Sequence, residues 1–185
     1  MNDLEGDRTP MHSAVQRMIG AARFDAAIYE EIESDRGATG QAFLVVLFAS
    51  AAAGVGAIEN HAVSGILWHT IHGLILWYVW AYITYWIGTR LLPSAETSAD
   101  HGELLRTIGF SSAPGLLRAL GLITPIAGVV FVICTLWMLV AMVVAVRQAL
   151  DYQSTLRAVA VCAIGFPVYA LGLMVSILLL GPWPI

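Results

Sequence analysis

The sequence predicts an all-α fold, a polytopic membrane helix bundle of five transmembrane elements with a broken third element and an amphipathic N-terminal segment. The composition supports this class, because 58% of the 185 residues are hydrophobic and only 12% are charged, against about 25% charged residues in soluble domains. Four runs lack any charged side chain and are 22, 30, 28 and 28 residues long. Each exceeds the roughly 20 residues that a helix needs to cross the hydrocarbon core. The runs cover residues 37–58, 60–89, 119–146 and 158–185.

Residues 1–40 predict a cytoplasmic N-terminal segment with one or two amphipathic helices. Ser13 and Gln16 have the spacing of a capping box at the start of the first helix. Asp25 is the expected N-cap of the second helix, which should end at Gly37. We expect the segment to be solvated and packed on the membrane domain; the alternative is that it lies on the membrane surface.

The membrane domain is predicted to occupy residues 41–185 and to contain five elements. These elements cover about residues 41–58, 65–91, 104–123, 125–149 and 155–180. Thr39 is the expected N-cap of the first one, whose alanine and glycine stripes predict a close packing face. The second is rich in aromatic residues. Rings at its ends suit the membrane interface, whereas Trp77 and Trp80 are central and should fill space between helices.

The third element is predicted to be short and broken. Its glycines, serines and proline cannot belong to one undisturbed helix. Residues 113–123 would span only about 16 Å as an α-helix, which is half a bilayer. We therefore expect a short helix ending near Phe110 and a half-helix starting at Ser112 or Ala113. The candidate functional residues at this break are Gly109, Phe110, Ser111, Ser112, Pro114 and Arg118.

The last two elements have clearer boundaries. Thr124 is the expected N-cap of the fourth, with Pro125 at the first helical position. The fifth is expected to be kinked at Pro167, and Trp183 beyond it can anchor at the interface.

The arginines predict the orientation. If the broken element crosses the membrane, eight of the nine arginines lie on one side, which the positive-inside rule identifies as the cytoplasm. The N-terminus of this multi-pass protein is then cytoplasmic and the membrane is the inner membrane. The eight residues are Arg8, Arg17, Arg23, Arg36, Arg90, Arg106, Arg147 and Arg157.

Four residues near the start of the second membrane helix are candidate metal ligands. His69 and His72 lie three residues apart on one helical face, with Glu59 and His61 shortly before them, and imidazole and carboxylate suit transition metals. The favoured alternative is that the histidines bond to backbone or water. No metal and no cofactor is therefore predicted.

Arg118 is the one arginine expected within the membrane. A charge at that depth costs a few kcal/mol or more unless it is paired or hydrated, so it is a functional candidate. The alternative is structural: the side chain reaches the interface, or it bonds carbonyls freed at the break between Ser112 and Pro114.

The sequence predicts a protein that is not an enzyme, because it contains no nucleophile motif, zinc-protease motif or phosphate loop. The first hypothesis is a membrane scaffold that binds membrane or cytoplasmic proteins or organises the bilayer. A homo-oligomer is compatible with it, and no nucleic-acid partner is expected. The alternative is a small transporter or channel, in which the broken third helix and Arg118 bind an anion.

Several segments resemble one family, the bacterial members of the YIP (Ypt/Rab-interacting protein) membrane proteins. They are residues Tyr29–Ala42, Tyr85–Arg90, Leu105–Pro114, Trp137–Leu139, Ala145–Leu150 and Thr155–Ala158. The resemblance implies a five-helix membrane domain with a cytoplasmic N-terminus. Eukaryotic relatives are associated with small GTPases, vesicle traffic and membrane shaping. Their acidic-Leu-Tyr-Gly-Pro signature is not present in this sequence.

Overall fold

A computed structural model describes residues 12–56 and 63–180 of the chain. The described residues form seven α-helices and contain no β-strand, so the all-α class is confirmed. The helices are α1 (Ala14–Ala22), α2 (Ala26–Ser34), α3 (Ala38–Gly56), α4 (Val63–Trp86), α5 (His101–Ser111), α6 (Ala127–Ala149) and α7 (Thr155–Leu180). A π-helical turn, Ile87–Leu91, extends α4, and two 3-10 segments, Ala113–Leu122 and Thr124–Ile126, lie between α5 and α6.

The two N-terminal helices begin where the sequence predicts. The Ser13 side chain accepts a hydrogen bond from the Gln16 backbone, and the Gln16 side chain accepts one from the Ser13 backbone, which completes the capping box. The Asp25 carboxylate accepts from the backbone of Ala27. The predicted end of α2 at Gly37 is wrong, because the helix ends at Ser34.

The predicted N-cap of the first membrane helix is also wrong. α3 begins at Ala38, so Thr39 lies inside it. The reason is a turn that starts the helix earlier: the Ala38 N–H donates to the Asp35 carbonyl at 2.9 Å, and the Thr39 hydroxyl donates to the Arg36 carbonyl at 3.1 Å. α3 is described to Gly56, and residues 57 and 58 of the prediction lie outside the described part.

The small-residue and aromatic patterns of α3 and α4 have the packing roles expected from the sequence. Ala49 and Ala52 of α3 are buried. Trp80 of α4 is only 7% exposed, and Trp77 packs against both hydrophobic clusters of the protein. The central aromatic residues therefore fill space between helices, as predicted.

The third element is broken as predicted, but its second half is a 3-10 helix. α5 ends at Ser111, Ser112 is the joint, and the 3-10 segment runs from Ala113 to Leu122. The predicted start of the fourth element is wrong. Thr124 begins a separate 3-10 turn, and α6 starts at Ala127 after Ile126, which provides no side-chain cap.

α7 runs from Thr155 to Leu180 with Pro167 inside it, and Trp183 lies outside the described residues. Within the described part of the chain, α3 over Ala38–Val55 and α6 over Ala127–Ala149 are long and apolar enough to cross a membrane. The apolar stretch Thr155–Leu171 is shorter. The count of five crossings stays a prediction.

Packing organises the helices around α3 and the 3-10 segment. α3 packs against α4, α5 and the 3-10 segment, which also packs against α6, while α7 packs against α4 and α6. One hydrophobic cluster joins the ends of α4 and α6 to the start of α7, and its buried side chains include Ile87, Leu150 and Val161. The second joins α1 and α2 to α3, α5 and α6.

Candidate functional site

The N-terminal hairpin, formed by α1 and α2, is docked on the membrane helices. The two helices approach closely at Gly20, where an added Cβ would lie 2.6 Å from Ile28 Cγ1. The Trp137 indole N–H donates to the Ala22 carbonyl at 2.7 Å, and the Tyr29 hydroxyl donates to the Ala141 carbonyl at 3.3 Å. The hairpin is therefore attached to α6, which agrees with the prediction that it packs on the membrane domain.

A buried arginine fixes the hairpin internally and ties it to α3. The Arg17 side chain is 0% exposed. Its Nε donates to Glu31 Oε1 at 2.9 Å, and its Nη1 lies 2.8 Å from Asp35 Oδ2. Nη1 also donates to the amide oxygen of Gln41 in α3 at 3.0 Å. A buried charge is tolerated only where it is paired and hydrogen-bonded in this way.

A second arginine joins the hairpin to the broken element. Arg106 of α5 is buried, and its Nε donates to the carbonyl of Ile32 at 3.2 Å. Its Nη2 donates to the carbonyl of Glu33. Both acceptors are carbonyls of the last turn of α2, where a cation also complements the helix dipole. The Glu33 carboxylate is not one of these acceptors, and burial raises its pKa to about 8, helped by the charges of neighbouring acidic residues.

The predicted break lies directly beneath the hairpin. Phe110 is 0% exposed and belongs to the hairpin's hydrophobic cluster. Gly109 approaches α3 so closely that an added Cβ would lie 2.8 Å from the Cβ of Ala42. The hydroxyls of Ser111 and Ser112 both donate to the carbonyl of Ile108. These serines thus hydrogen-bond a backbone carbonyl in the last turn of α5. Pro114 is buried at the start of the 3-10 segment.

The side-chain hydrogen bond of Arg118 goes to α6 and not to a carbonyl of the break; the alternative that it reaches the membrane interface stays a prediction. The Arg118 Nη2 donates to the hydroxyl of Thr135 in α6 at 2.9 Å, and its guanidinium lies 4.8 Å from the centre of the Phe131 ring. Thr135 is eight residues after the start of α6, which is about 12 Å along the helix axis. The charge is therefore held at a depth well inside the apolar length of α6.

Arg118 lines a cavity between α3, α4, α6 and α7. The cavity has a volume of about 380 Å³, within the range of about 300–1,000 Å³ that is usual for ligand pockets. Ser111 and Ser112 of the break lie at its wall together with Trp80 and Thr135. The structure thus brings part of the predicted break to Arg118, whereas Phe110 lies in the hairpin cluster.

The candidate metal ligands divide into two pairs. His69 and His72 both line the cavity, while Glu59 and His61 lie outside the described residues. Within residues 12–56 and 63–180, no three His, Cys, Asp or Glu side chains come together as a metal-binding group.

Three residues of these sites were not predicted to have a role there. Arg17 was assigned only to a side of the membrane, Trp80 was assigned only to packing, and Thr135 was not singled out. The acidic residues Glu31 and Asp35, which follow Arg17 in the same N-terminal segment, were an available signal. Nothing local marks Thr135, because its partner Arg118 lies 17 residues away in another segment.

A known protein family covers most of the chain. A protein-family model described as the Yip1 domain matches residues 23–177. This region includes α2, the break, Arg118 and all the helices that form the cavity. No curated protein and no solved structure matches the chain.

Proposed function

This chain belongs to the Yip1 domain family, and on that basis we propose that it is a non-enzymatic, multi-pass membrane protein that binds partner proteins through its N-terminal hairpin. Proteins of this family are membrane proteins that interact with partners such as Rab GTPases. The proposal places the hairpin on the cytoplasmic side of the inner membrane, as the distribution of arginines predicts.

The observation that carries this proposal is an exposed apolar face on a rigidly held hairpin. Val15 and Ile19 of α1 are 62% and 48% exposed, and Phe24 in the following turn is 38% exposed. Residues four apart lie on the same face of a helix. Apolar side chains that are exposed together on one helix face suit an interaction site.

The docking contacts explain why this face is suited to binding. Arg17, Trp137 and Tyr29 hold the hairpin by side chains on three different helices. A partner would therefore meet a preformed surface and would not have to order it on binding, which reduces the entropic cost of association. Substitutions in the apolar face should weaken partner binding because they remove contacts with the partner. Substitutions in the docking contacts should weaken it because the face is no longer held in place.

Purification in mild detergent with quantitative mass spectrometry tests the proposal. Proteins that co-purify with the wild type should be depleted in the double variant Val15→Ser/Ile19→Ser. The matched control is Leu156→Ser at the start of α7, which removes a 76% exposed leucine and should leave the partners in place. A wild-type protein that is reproducibly isolated without partners would contradict the proposal.

Arg17→Ala tests the docking contacts separately. Removal of one member of a buried ion pair typically costs 3–5 kcal/mol. Because Glu31 and Asp35 are partly exposed, we expect a loss of about 3 kcal/mol, at the lower end of that range. Limited proteolysis should then cut the hairpin faster, and the partners should be lost with it. Arg23→Ala, at an exposed position after α1, should leave the proteolysis rate unchanged.

A further inference from the structure

The cavity next to the break contains two buried hydrogen-bond donors that have no acceptor. The Nε of Arg118 and the indole Nε1 of Trp80 are both buried, and neither has a hydrogen-bond partner among the described residues. Both side chains line the cavity, and Trp80 is only 7% exposed. A buried donor without an acceptor costs about 1–3 kcal/mol. Two such donors at one cavity indicate that a bound ligand supplies the missing acceptor.

The orientation of Arg118 leaves its Nε available. The Thr135 hydroxyl donates its own proton to the Phe131 carbonyl at 2.8 Å and accepts from Arg118 Nη2. The guanidinium is therefore fixed at one end by Thr135 and along one face by the Phe131 ring. A guanidinium presents five donors in a fixed plane, which suits the oxygen atoms of a carboxylate or phosphate.

The charge of the cavity wall selects an anion. Of the described residues that line the cavity, none is Asp or Glu, and Arg118 is its one arginine. The hydroxyls of Ser111 and Ser112 lie in the same wall, but they already donate to the Ile108 carbonyl. An anion at this site would therefore meet the Arg118 cation without a competing carboxylate.

The remaining wall selects an apolar chain. It is formed mainly by apolar side chains, including Met138, Leu139 and Phe166. Leu139 of α6 and Phe166 of α7 are 43% and 59% exposed, so the cavity reaches the outer surface of these two helices. In a bilayer this surface faces lipid, and a ligand can enter sideways from the membrane.

We propose that the cavity binds one anionic amphiphile, with a phosphate or carboxylate head group at Arg118 and Trp80 and an acyl chain along α6 and α7. An acidic membrane lipid has this chemistry, and free phosphate shares only its head group. The site does not include the N-terminal hairpin. Its test is therefore independent of the proposed partner-binding function.

Native mass spectrometry of the full chain in a nonionic detergent tests this site, with phosphatidylglycerol as the probe. The wild type should retain one phosphatidylglycerol molecule in preference to phosphatidylcholine. Arg118→Gln should weaken binding about tenfold or more, since it removes a charge-assisted hydrogen bond. Trp80→Phe keeps a ring but removes the indole donor and should weaken binding several-fold, as expected for one neutral hydrogen bond. Arg118→Lys should bind better than Arg118→Gln.

Arg157→Gln is the matched control. Arg157 lies at the start of α7 and donates to the Pro93 carbonyl at 2.9 Å, so its loss removes a surface arginine without touching the cavity. This variant should bind phosphatidylglycerol as the wild type does. Melting temperatures identify any variant that fails to fold, in which case Trp80→Phe and Arg118→Lys carry the comparison.

Three results would overturn the proposal. Equal retention of phosphatidylcholine would show that the head-group charge is not recognised. Inorganic phosphate that binds as tightly as phosphatidylglycerol would show a simple anion site to which no chain contributes. Unchanged affinity in folded Arg118→Gln and Trp80→Phe variants would show that the lipid lies elsewhere.

Discussion

The guanidinium groups of three arginines lie inside the protein, and each contacts a different set of partners. Arg17 is paired with carboxylates, Arg106 bonds backbone carbonyls of α2, and Arg118 bonds a hydroxyl and lies over a ring. The first two sets fix the hairpin in place, and the buried Nη2 of Arg17 lies 2.8 Å from the Glu31 carboxylate. The third leaves a buried N–H group without an acceptor, which is why Arg118 is the residue assigned to ligand binding.

The raised pKa of Glu33 predicts that the stability of the folded protein depends on pH. Burial raises the pKa of the Glu33 carboxyl to about 8, and repulsion from Glu30, Asp151 and Glu103 adds to this effect, while Arg106 opposes it. The ordinary pKa of a glutamate is about 4.3. Between these two values the folded protein holds a proton that the unfolded chain releases, so stability falls as the pH rises through this window. The stability that the protonated Glu33 carboxyl contributes is complete below its pKa in the unfolded chain, and it is lost above about pH 8.

Replacement of this carboxyl should remove that part of the pH dependence. We expect the melting temperature of Glu33→Gln in detergent to fall less than that of the wild type between about pH 5 and 9, because the amide does not ionise. Glu96→Gln changes an exposed glutamate in the loop before α5 and serves as the control. If the wild type and Glu33→Gln had the same pH profile, the raised pKa of Glu33 would be wrong.

At the scale of elements, the fit between α5 and α3 depends on a glycine. An added Cβ at Gly109 would lie 2.8 Å from the Cβ of Ala42 and 3.3 Å from the Trp77 ring. The Cβ of Ala42 is attached directly to the backbone, so it can move only if the helix moves. Alanine at position 109 should therefore separate the two helices.

Gly40 in α3 provides a matched comparison, because an added Cβ there meets nothing within 4 Å. Gly40→Ala should be neutral or stabilising by up to about 1 kcal/mol, from helix propensity alone. Gly109→Ala should instead destabilise the protein by about 1–3 kcal/mol through overpacking. Reversible unfolding in detergent, followed by circular dichroism, measures both. Equal effects of the two substitutions would show that α5 does not pack on α3 at this point.

The same elements show how far local sequence signals reach. The capping box at Ser13 and the break at Ser112 were predicted, because both depend on residues within one turn of the chain. The caps at Thr39 and Thr124 were wrong, since the turns that start α3 and α6 are set by neighbouring backbone hydrogen bonds. The 3-10 form of Ala113–Leu122, which packs against α3 and α6, was also missed.

The candidate sites were predicted less completely than the helices, because they join distant parts of the chain. Arg118 was identified from its charge in an apolar region, which is a local signal. Its contact with Thr135 and the buried position of Arg17 depend on how the helices pack. Sequence patterns therefore identified Arg118 as a candidate but could not supply its partner, and they did not identify the role of Arg17.

At the scale of the whole molecule, contacts between loops bear on whether the broken element crosses the membrane. The amide of Gln153, between α6 and α7, donates to the Glu96 carboxylate at 2.8 Å, and the Tyr152 hydroxyl donates to the Leu92 carbonyl at 2.7 Å. The loops that follow α4 and α6 therefore lie on the same side. If α6 crosses the membrane, its start lies on the opposite side from these two loops. The chain must then also cross once between the loop after α4 and the start of α6, and the broken element is the segment that does so.

Cysteine labelling in intact cells tests this topology. In a background of Cys134→Ala/Cys162→Ala, a membrane-impermeant maleimide should label Ile123→Cys from outside the cell. Ala95→Cys and Ser154→Cys should be labelled only after permeabilisation. All three positions are exposed. Labelling of Ser154→Cys in intact cells would show that the broken element does not cross, since Ser154 would then be extracellular.

The bond between Ala22 and Trp137 has a consequence for biogenesis. These residues are 115 positions apart, and a ribosome that adds about 5–20 residues per second needs roughly 6–23 s to make the intervening chain. The contact of Arg17 with Gln41 of α3 can form earlier, because these residues are only 24 positions apart. The attachment of the hairpin to α6 must wait until α6 has been synthesised. Docking of the N-terminus is therefore completed only after most of the bundle has been made.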